Sequence, residues 1–379
     1  MNYLKISNFK CFEEVEIPIN RLTVFAGANG NGKSTTVQAL LLLRNSIEEN
    51  MQLWGGYYVA AEEELLGTDV PLNSGYLLAL GNSSHVINHR SNKEYISIAF
   101  KFTEGEFFVS YHANNQEPQL FLRINDCSTY HAKESPVLKW EFYYLNAERI
   151  GPRVSQSIQH SNFPNAGYQG EFTAQLLDLE SGFWKVAQER KFPNTGSSFL
   201  KDQTNSWLEY IIPGTRVVAI TDPKTLSGQI LLENYYTTSD PALATNLGFG
   251  ISYVLPIIVT GLTAASGSIF VVENPEAHLH PAAQSKVGQF LAMLAKNGVN
   301  VIVETHSDHV LNGIQIAVAK KEIPNDHVSI NFFSHKDGAV QPSIATISMS
   351  EKGELSEWPS GFFDQTQIDF VELFKARKG

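Results

Sequence analysis

Near the N-terminus, Gly27-Ala28-Asn29-Gly30-Asn31-Gly32-Lys33-Ser34 combines glycines, a lysine and a hydroxyl at the spacing G-x4-G-K-S. Glycines let a backbone turn tightly and aim N–H groups at one point, which suits a chain of phosphates. Asn29, Gly30, Asn31 and Gly32 would line that cradle, Lys33 would reach the β- and γ-phosphates, and Ser34 would offer its hydroxyl to Mg²⁺; Thr35 follows as the next helix residue. A second group lies far downstream. The apolar run Ile269-Phe270-Val271-Val272 ends in Glu273-Asn274-Pro275-Glu276. A carboxylate at the end of such a run is the usual partner of the phosphate loop, because Mg²⁺ on phosphate oxygens takes one or two carboxylates; Glu273 is the candidate. Hydrolysis also needs a group that orients or deprotonates water. The position after the metal-binding acid is Asn274, an amide that orients water but accepts no proton, so slow turnover is expected unless Glu276 acts from two residues on. His306 ends the next apolar run and is placed to contact the γ-phosphate. His278, His280, His306 and His309 lack the companion carboxylate motif or cysteines of a zinc site, and none is expected.

These groups need elements to hold them. Leu22, Val24 and Phe25 read as a buried strand ending at Gly27, and residues 33–44 as a helix whose N-terminus adds partial positive charge to the loop. Leu4 and Ile6, then Val15, Ile17 and Ile19, alternate as two earlier strands. Val287, Phe290, Leu291 and Leu294 repeat at helical spacing before Asn297-Gly298, a C-cap signal. Residues 299–304 form another strand ending at Thr305-His306-Ser307, and Val310, Leu311, Ile314 and Val318 mark the next helix. Strands alternating with helices imply a parallel sheet, whose ligands sit beyond the strands' C-terminal ends, where Gly27, Glu273 and His306 all fall. Between these blocks, residues 94–111 read as an antiparallel hairpin and 120–124 and 140–145 as further strands. Residues 49–92 read as loop and short helix, 151–170 as a long loop, and 172–188 carry helical spacing. Residues 207–212 and 217–220 return to apolar structure, and no internal repeat or sustained heptad pattern occurs.

The 379 residues are 43% hydrophobic and 18% charged, a globular composition. A net charge of −11 argues against a uniformly basic nucleic-acid surface. Cys11 and Cys127 are too few and too far apart for a disulfide framework. No apolar run reaches membrane-spanning length and no signal peptide opens the chain, so a soluble, cytoplasmic protein without a membrane partner is expected.

Together these segments resemble the ABC-type ATPase heads of the SMC, RecF and OLD (overcoming lysogenization defect) group. Leu4-Lys5-Ile6-Ser7-Asn8-Phe9-Lys10 is similar to that group's opening strand, and residues 27–34 to its Walker A motif. Glu273-Asn274-Pro275-Glu276-Ala277-His278-Leu279-His280-Pro281 is similar to its Asp-Glu-Pro-Glu-x-x-Leu-His-Pro Walker B segment, and Thr305-His306-Ser307 to its switch-histidine loop. Leu247-Gly248-Phe249-Gly250-Ile251-Ser252 stands where the group has its signature motif, as a variant of Leu-Ser-Gly-Gly-Gln. The resemblance implies an α/β P-loop NTPase of ABC-ATPase type with a mostly parallel core sheet, an N-terminal antiparallel β lobe and a mixed α/β insert. It implies one head over 1–379, with core lobes 1–48 and 215–345, an inserted lobe 49–214 and a C-terminal extension 346–379.

It further implies ATP and Mg²⁺ as cofactors and a homodimer with composite sites, in which Gly250 and Ser252 act on the partner's nucleotide; a higher oligomer stays open. Glu273-Asn274 in place of Asp-Glu implies slow hydrolysis. Residues 144–153 and 358–364 resemble segments of a compact subgroup often encoded in bacterial phage-defence islands. Only 72 residues follow Ser307, so no Toprim nuclease domain is expected, and an effector such as a nuclease or toxin would be a separate protein. Three other readings stand beside this one: a RecF-like repair ATPase that clamps DNA, a module that holds ATP without turnover, and, more weakly, a transporter ATPase.

Overall fold

The computed structural model describes residues 2–103, 105–112, 117–128, 135–179, 184–234, 241–246, 248–359 and 361–377. Strands β1 (Asn2–Phe9) and β2 (Phe12–Ile19) pair antiparallel and bury Leu4, Ile6, Ile17 and Ile19 on one face. Strand β3 (Leu22–Gly27) is buried at every position through Ala26, as a strand covered on both faces must be. It feeds helix α1 (Lys33–Asn50), which packs against β1 and β3 alike. Next come the hairpin β4 (Gln52–Trp54) and β5 (Tyr57–Val59), the short helix α2 (Glu62–Leu65), β6 (Asp69–Pro71) and the short helix α3 (Ser83–Val86). Strands β7 (Tyr95–Phe102), β8 (Gly105–His112) and β9 (Phe121–Ser128) form a meander, and β10 (Phe142–Leu145) follows. After β11 (Gln156–Ser157) come α4 (Thr173–Leu177), α5 (Leu200–Ile211), the antiparallel pair β12 (Thr215–Asp222) and β13 (Ser227–Asn234), and β14 (Ala242–Leu243). The rest alternates: α6 (Phe249–Thr263), β15 (Ile269–Glu273), α7 (Pro281–Lys296), β16 (Asn300–Glu304), α8 (Asp308–Ala319) and β17 (Val328–Ser334). Strand β18 (Ser343–Ile347) and helix α9 (Gln365–Ala376) close it.

Two sheets share the work. The first, entirely antiparallel, runs β2-β1-β7-β8-β9-β6; the second runs β10-β15-β16-β3-β17-β18 and is parallel except for β18. Alternate residues of the second sheet feed two cores. Phe25, Val271, Ile302 and Phe333 pack with α1 and the first sheet. Val24, Val272, Val301 and Val303 pack on the other face with α6, α7 and α8. A smaller antiparallel sheet, β11-β13-β12 with β14 beside β13, lies against α4 and α5. No helix among the described residues is long and apolar enough to cross a membrane.

Helices α7 and α8 cross at glycines. A Cβ on Gly288 would collide with the carbonyl of Val310, and one on Gly313 with that of Ser285, so the two backbones meet directly.

The lobes interleave more than the sequence suggests. Strand β7 pairs with β1, Ile98 opposite Ile6, so the hairpin read as part of an insert completes the N-terminal sheet. Strand β10, also within 49–214, forms the edge of the core sheet in parallel with β15. Residues 215–234, expected with the core, build the third sheet instead. The helix expected over 172–188 is shorter: α4 ends at Leu177, and the Val186 N–H donates to the Ser198 carbonyl, which holds that stretch extended; residues 180–183 lie outside the described chain.

Candidate functional site

Gly32 caps α1 at φ 95° with no side-chain hydrogen bond, and no acidic residue stands in the first turn. The helix therefore presents free N–H groups and its positive end to the loop. Lys33 is 3% exposed; its Nζ donates to the carbonyls of Gly27 and Ala28, both at 2.9 Å. Burial lowers its pKa, opposed by the charge of Glu304. Asn29, Gly30 and Ser34 are exposed, Asn31 and Thr35 half-buried. The Ser34 hydroxyl donates to Glu304 Oε1 at 2.8 Å.

Strand register sets the acids side by side. Glu273 ends β15 opposite Glu304, which ends β16, and Glu304 faces Phe25 of β3 on its other side. Glu273 accepts from the Tyr144 hydroxyl at 3.0 Å on Oε1 and from the Ala147 N–H at 3.3 Å on Oε2. Burial raises its pKa, and these two bonds oppose the rise. Burial and then the charge of Glu273 push Glu304 up to about 7, against Ser34 and Lys33. Asn274 adopts φ 44°, donates its N–H to the Glu304 carbonyl at 2.8 Å, and keeps Oδ1 buried without a partner among the described residues. Glu276 accepts from the Thr305 hydroxyl and from the His306 N–H, each at 2.7 Å, which ties the turn after β15 to the loop after β16. Burial raises the Glu276 pKa; partial desolvation and then the charge of Lys33 lower that of His306.

One exposed hydroxyl beside a buried and a half-buried carboxylate fits a divalent cation on a polyphosphate, since Mg²⁺ uses one or two carboxylates and leaves its other positions to phosphate and water. In such a site Ser34, with Glu273 or Glu304, would hold it, and the metal would supply neutralisation of phosphate charge.

Residues 1–166 match the family model described as AAA ATPase domain, and residues 180–312 one described as AAA domain, putative AbiEii toxin, Type IV TA system. Residues 323–373 match a model described as protein of unknown function (DUF3696). Over 91% of its length the structure is similar to 97% of the SmcHead in its crystal structure with the C-winged helix domain of ScpA, at 13% identity and TM-score 0.54. The fold is that of an SMC-type ATPase head. The Smc head domain with an extended coiled coil from Pyrococcus furiosus, bound to the C-terminal domain of ScpA, matches over 99% of this chain and 100% of its own at 13% identity and TM-score 0.52. No curated protein matches the sequence. The two ATPase-domain matches, with this fold, support ATP binding and hydrolysis in general.

Within this fold, the phosphate loop, Glu273, Asn274, Glu276 and His306 converge on one end of the parallel sheet. Gly250 and Ser252 stand on the first turn of α6; no hydrogen bond between described residues joins 248–252 to 27–35, and Leu247 is outside the described chain. The start of α6 packs on the turn after Glu273: a Cβ on Gly250 would lie 2.8 Å from the His278 carbonyl, and the rings of Phe249 and Tyr253 sit 5.3 and 4.5 Å from that of His278. His280 caps α7, its Nδ1 accepting from the Ala282 N–H.

Two residues were not singled out from sequence. Arg149, 3% exposed, donates to the carbonyls of Asn146 at 2.9 Å and of Glu273 and Asn274 at 2.7 Å, and its guanidinium lies 5.3 Å from the Tyr253 ring centre. Burial pulls its pKa down to about 10. It thus links the turn after β15 to the start of α6. Glu304 is the second, and its only sequence signal is a carboxylate at the end of a strand of four apolar-dominated residues.

Proposed function

We propose that this head binds ATP with Mg²⁺ and hydrolyses it slowly, as a switch that closes head-to-tail on a second copy and controls a separate effector. The observation that carries the reading is the uncapped N-terminus of α1, with Lys33 and Ser34 on its first turn and a row of carboxylates at the adjoining strand ends. Lys33 leaves its two carbonyl partners for the phosphates, Ser34 with Glu273 or Glu304 would hold the metal, and Asn274 orients water without taking its proton. Glu276 couples that turn to His306, which reads the γ-phosphate. Gly250 and Ser252, on the first turn of α6, serve the nucleotide of the second copy. Both similar Smc heads are bound to a domain of ScpA, which supports a separate protein partner here; in this reading that partner is an effector such as a nuclease or toxin, in phage defence.

Isothermal titration of ATP into the parent and Lys33→Ala tests the core of this reading. Loss of a charge-assisted phosphate contact, about 1.5–3 kcal/mol, weakens binding by at least tenfold. Equal affinity in the two proteins overturns the assignment of the loop.

A further inference from the structure

Glu304 makes a contact that neither the loop motif nor the Glu273 segment accounts for. Its Oε1 accepts the Ser34 hydroxyl at 2.8 Å, the residue is 4% exposed, and its Oε2 is buried with no hydrogen-bond partner among the described residues. The other two acids are committed. Both oxygens of Glu273 accept, from Tyr144 and Ala147, and both oxygens of Glu276 accept, from Thr305 and His306. Strand order adds distance to the contrast: β16 lies directly beside β3, whereas β15 is one strand further from the loop.

A hydroxyl that donates its proton to a carboxylate turns its lone pairs outward, and a hard cation takes those lone pairs. A buried carboxylate oxygen without a donor is costly, and a cation or its water supplies what is missing. We propose that Glu304 is the carboxylate that orients Ser34 for the divalent cation of the bound nucleotide and faces that cation or its water through Oε2. Glu273 then stands behind it, positioned by Tyr144 and Ala147. This assignment rests on the ATP·Mg²⁺ reading above and refines which acid serves the metal.

The test measures binding, not turnover. ATP is titrated into the full chain in EDTA and in Mg²⁺, and the ratio of the two affinities is the readout. In Glu304→Gln that ratio falls about tenfold, the range for removing a partner that orients a metal ligand, while ATP affinity in EDTA is kept or improved because a negative charge near the phosphates is gone. Glu273→Gln retains most of the parent ratio. Glu304→Asp keeps the charge but shortens the reach, so it loses less than the glutamine variant and covers the case in which the latter does not fold. A parental ratio in Glu304→Gln or, should that variant not fold, in Glu304→Asp overturns the assignment, as does loss of the ratio in Glu273→Gln alone. Failure of the parent to bind ATP at all would overturn the nucleotide reading itself, a distinct result.

Discussion

Replacing Arg149 with methionine keeps the buried volume and removes the cation under the turn at 273–274. Three donated bonds disappear, to the carbonyls of Asn146, Glu273 and Asn274; the last keeps the Ala277 N–H at 3.1 Å. Hydrogen bonds from a charged donor contribute roughly 1.5–3 kcal/mol each, and a carbonyl left buried without a donor costs about 1–3 kcal/mol. Against this stands the burial of the guanidinium, strong enough to pull its pKa to about 10, which the apolar replacement relieves. The net loss is about 3 kcal/mol. For 379 residues the unfolding entropy near 60 °C is roughly 0.8 kcal/mol/K, so Tm falls by about 4 °C. Because the released carbonyls belong to the turn that carries Asn274 at φ 44°, ATP turnover falls by more than stability alone explains. Arg149→Lys rescues only part, since a point charge cannot span two carbonyls as the planar fork does. Scanning calorimetry and a steady-state phosphate-release assay check both effects. A methionine variant with the parent's Tm and turnover refutes the reasoning.

Three further outcomes are expected. Ser252→Arg leaves each monomer folded and able to bind ATP but abolishes ATP-dependent association, read by sedimentation velocity; unchanged association removes the trans role of the segment. Asn274→Glu speeds single-turnover hydrolysis, by up to roughly 10²-fold, if an attenuated base position lies there, while Glu276→Gln matters little. No effect of the first with loss of hydrolysis in the second would move the base to Glu276. Gly313→Ala forces a methyl into the Ser285 carbonyl and costs about 1–3 kcal/mol, seen as a lower midpoint in urea; a parental midpoint would contradict the direct backbone contact of α7 and α8.

The phosphate loop and the Glu273 turn were readable because each is local: strand, turn and helix lie within about thirty residues and carry their own periodicity. The sites of strand pairing were not. Phe142 to Leu145 looks like any short apolar strand, and only the three-dimensional register with Ile269 to Val272 makes it part of the core sheet. Likewise Ile98 opposite Ile6 is a contact across ninety residues that alternation cannot announce. Helix α5 hid for a different reason. Its buried stripe is Leu200, Gln203, Thr204, Trp207, Leu208 and Ile211, and the two polar members interrupt the apolar pattern. Gln203 is tolerated there because it accepts from the Phe192 N–H and donates to Thr195 and the Ser197 carbonyl. Glu304 escaped notice because its significance depends on Ser34, 270 residues away in sequence.

The crossing of α7 and α8 has a mechanical meaning. Each helix starts where one of the site's loops ends, α7 after the turn that follows Glu273 and α8 after Thr305-His306-Ser307. Packed helices slide by letting side chains roll over one another, and at Gly288 and Gly313 no side chain intervenes between the two backbones. The pair is therefore a plank with two loops fixed to one end. Displacement of the 305–307 loop is expected to carry the turn beyond Glu273 with it, and hydrogen exchange should then show the amides of α7 and α8 opening together with one free energy.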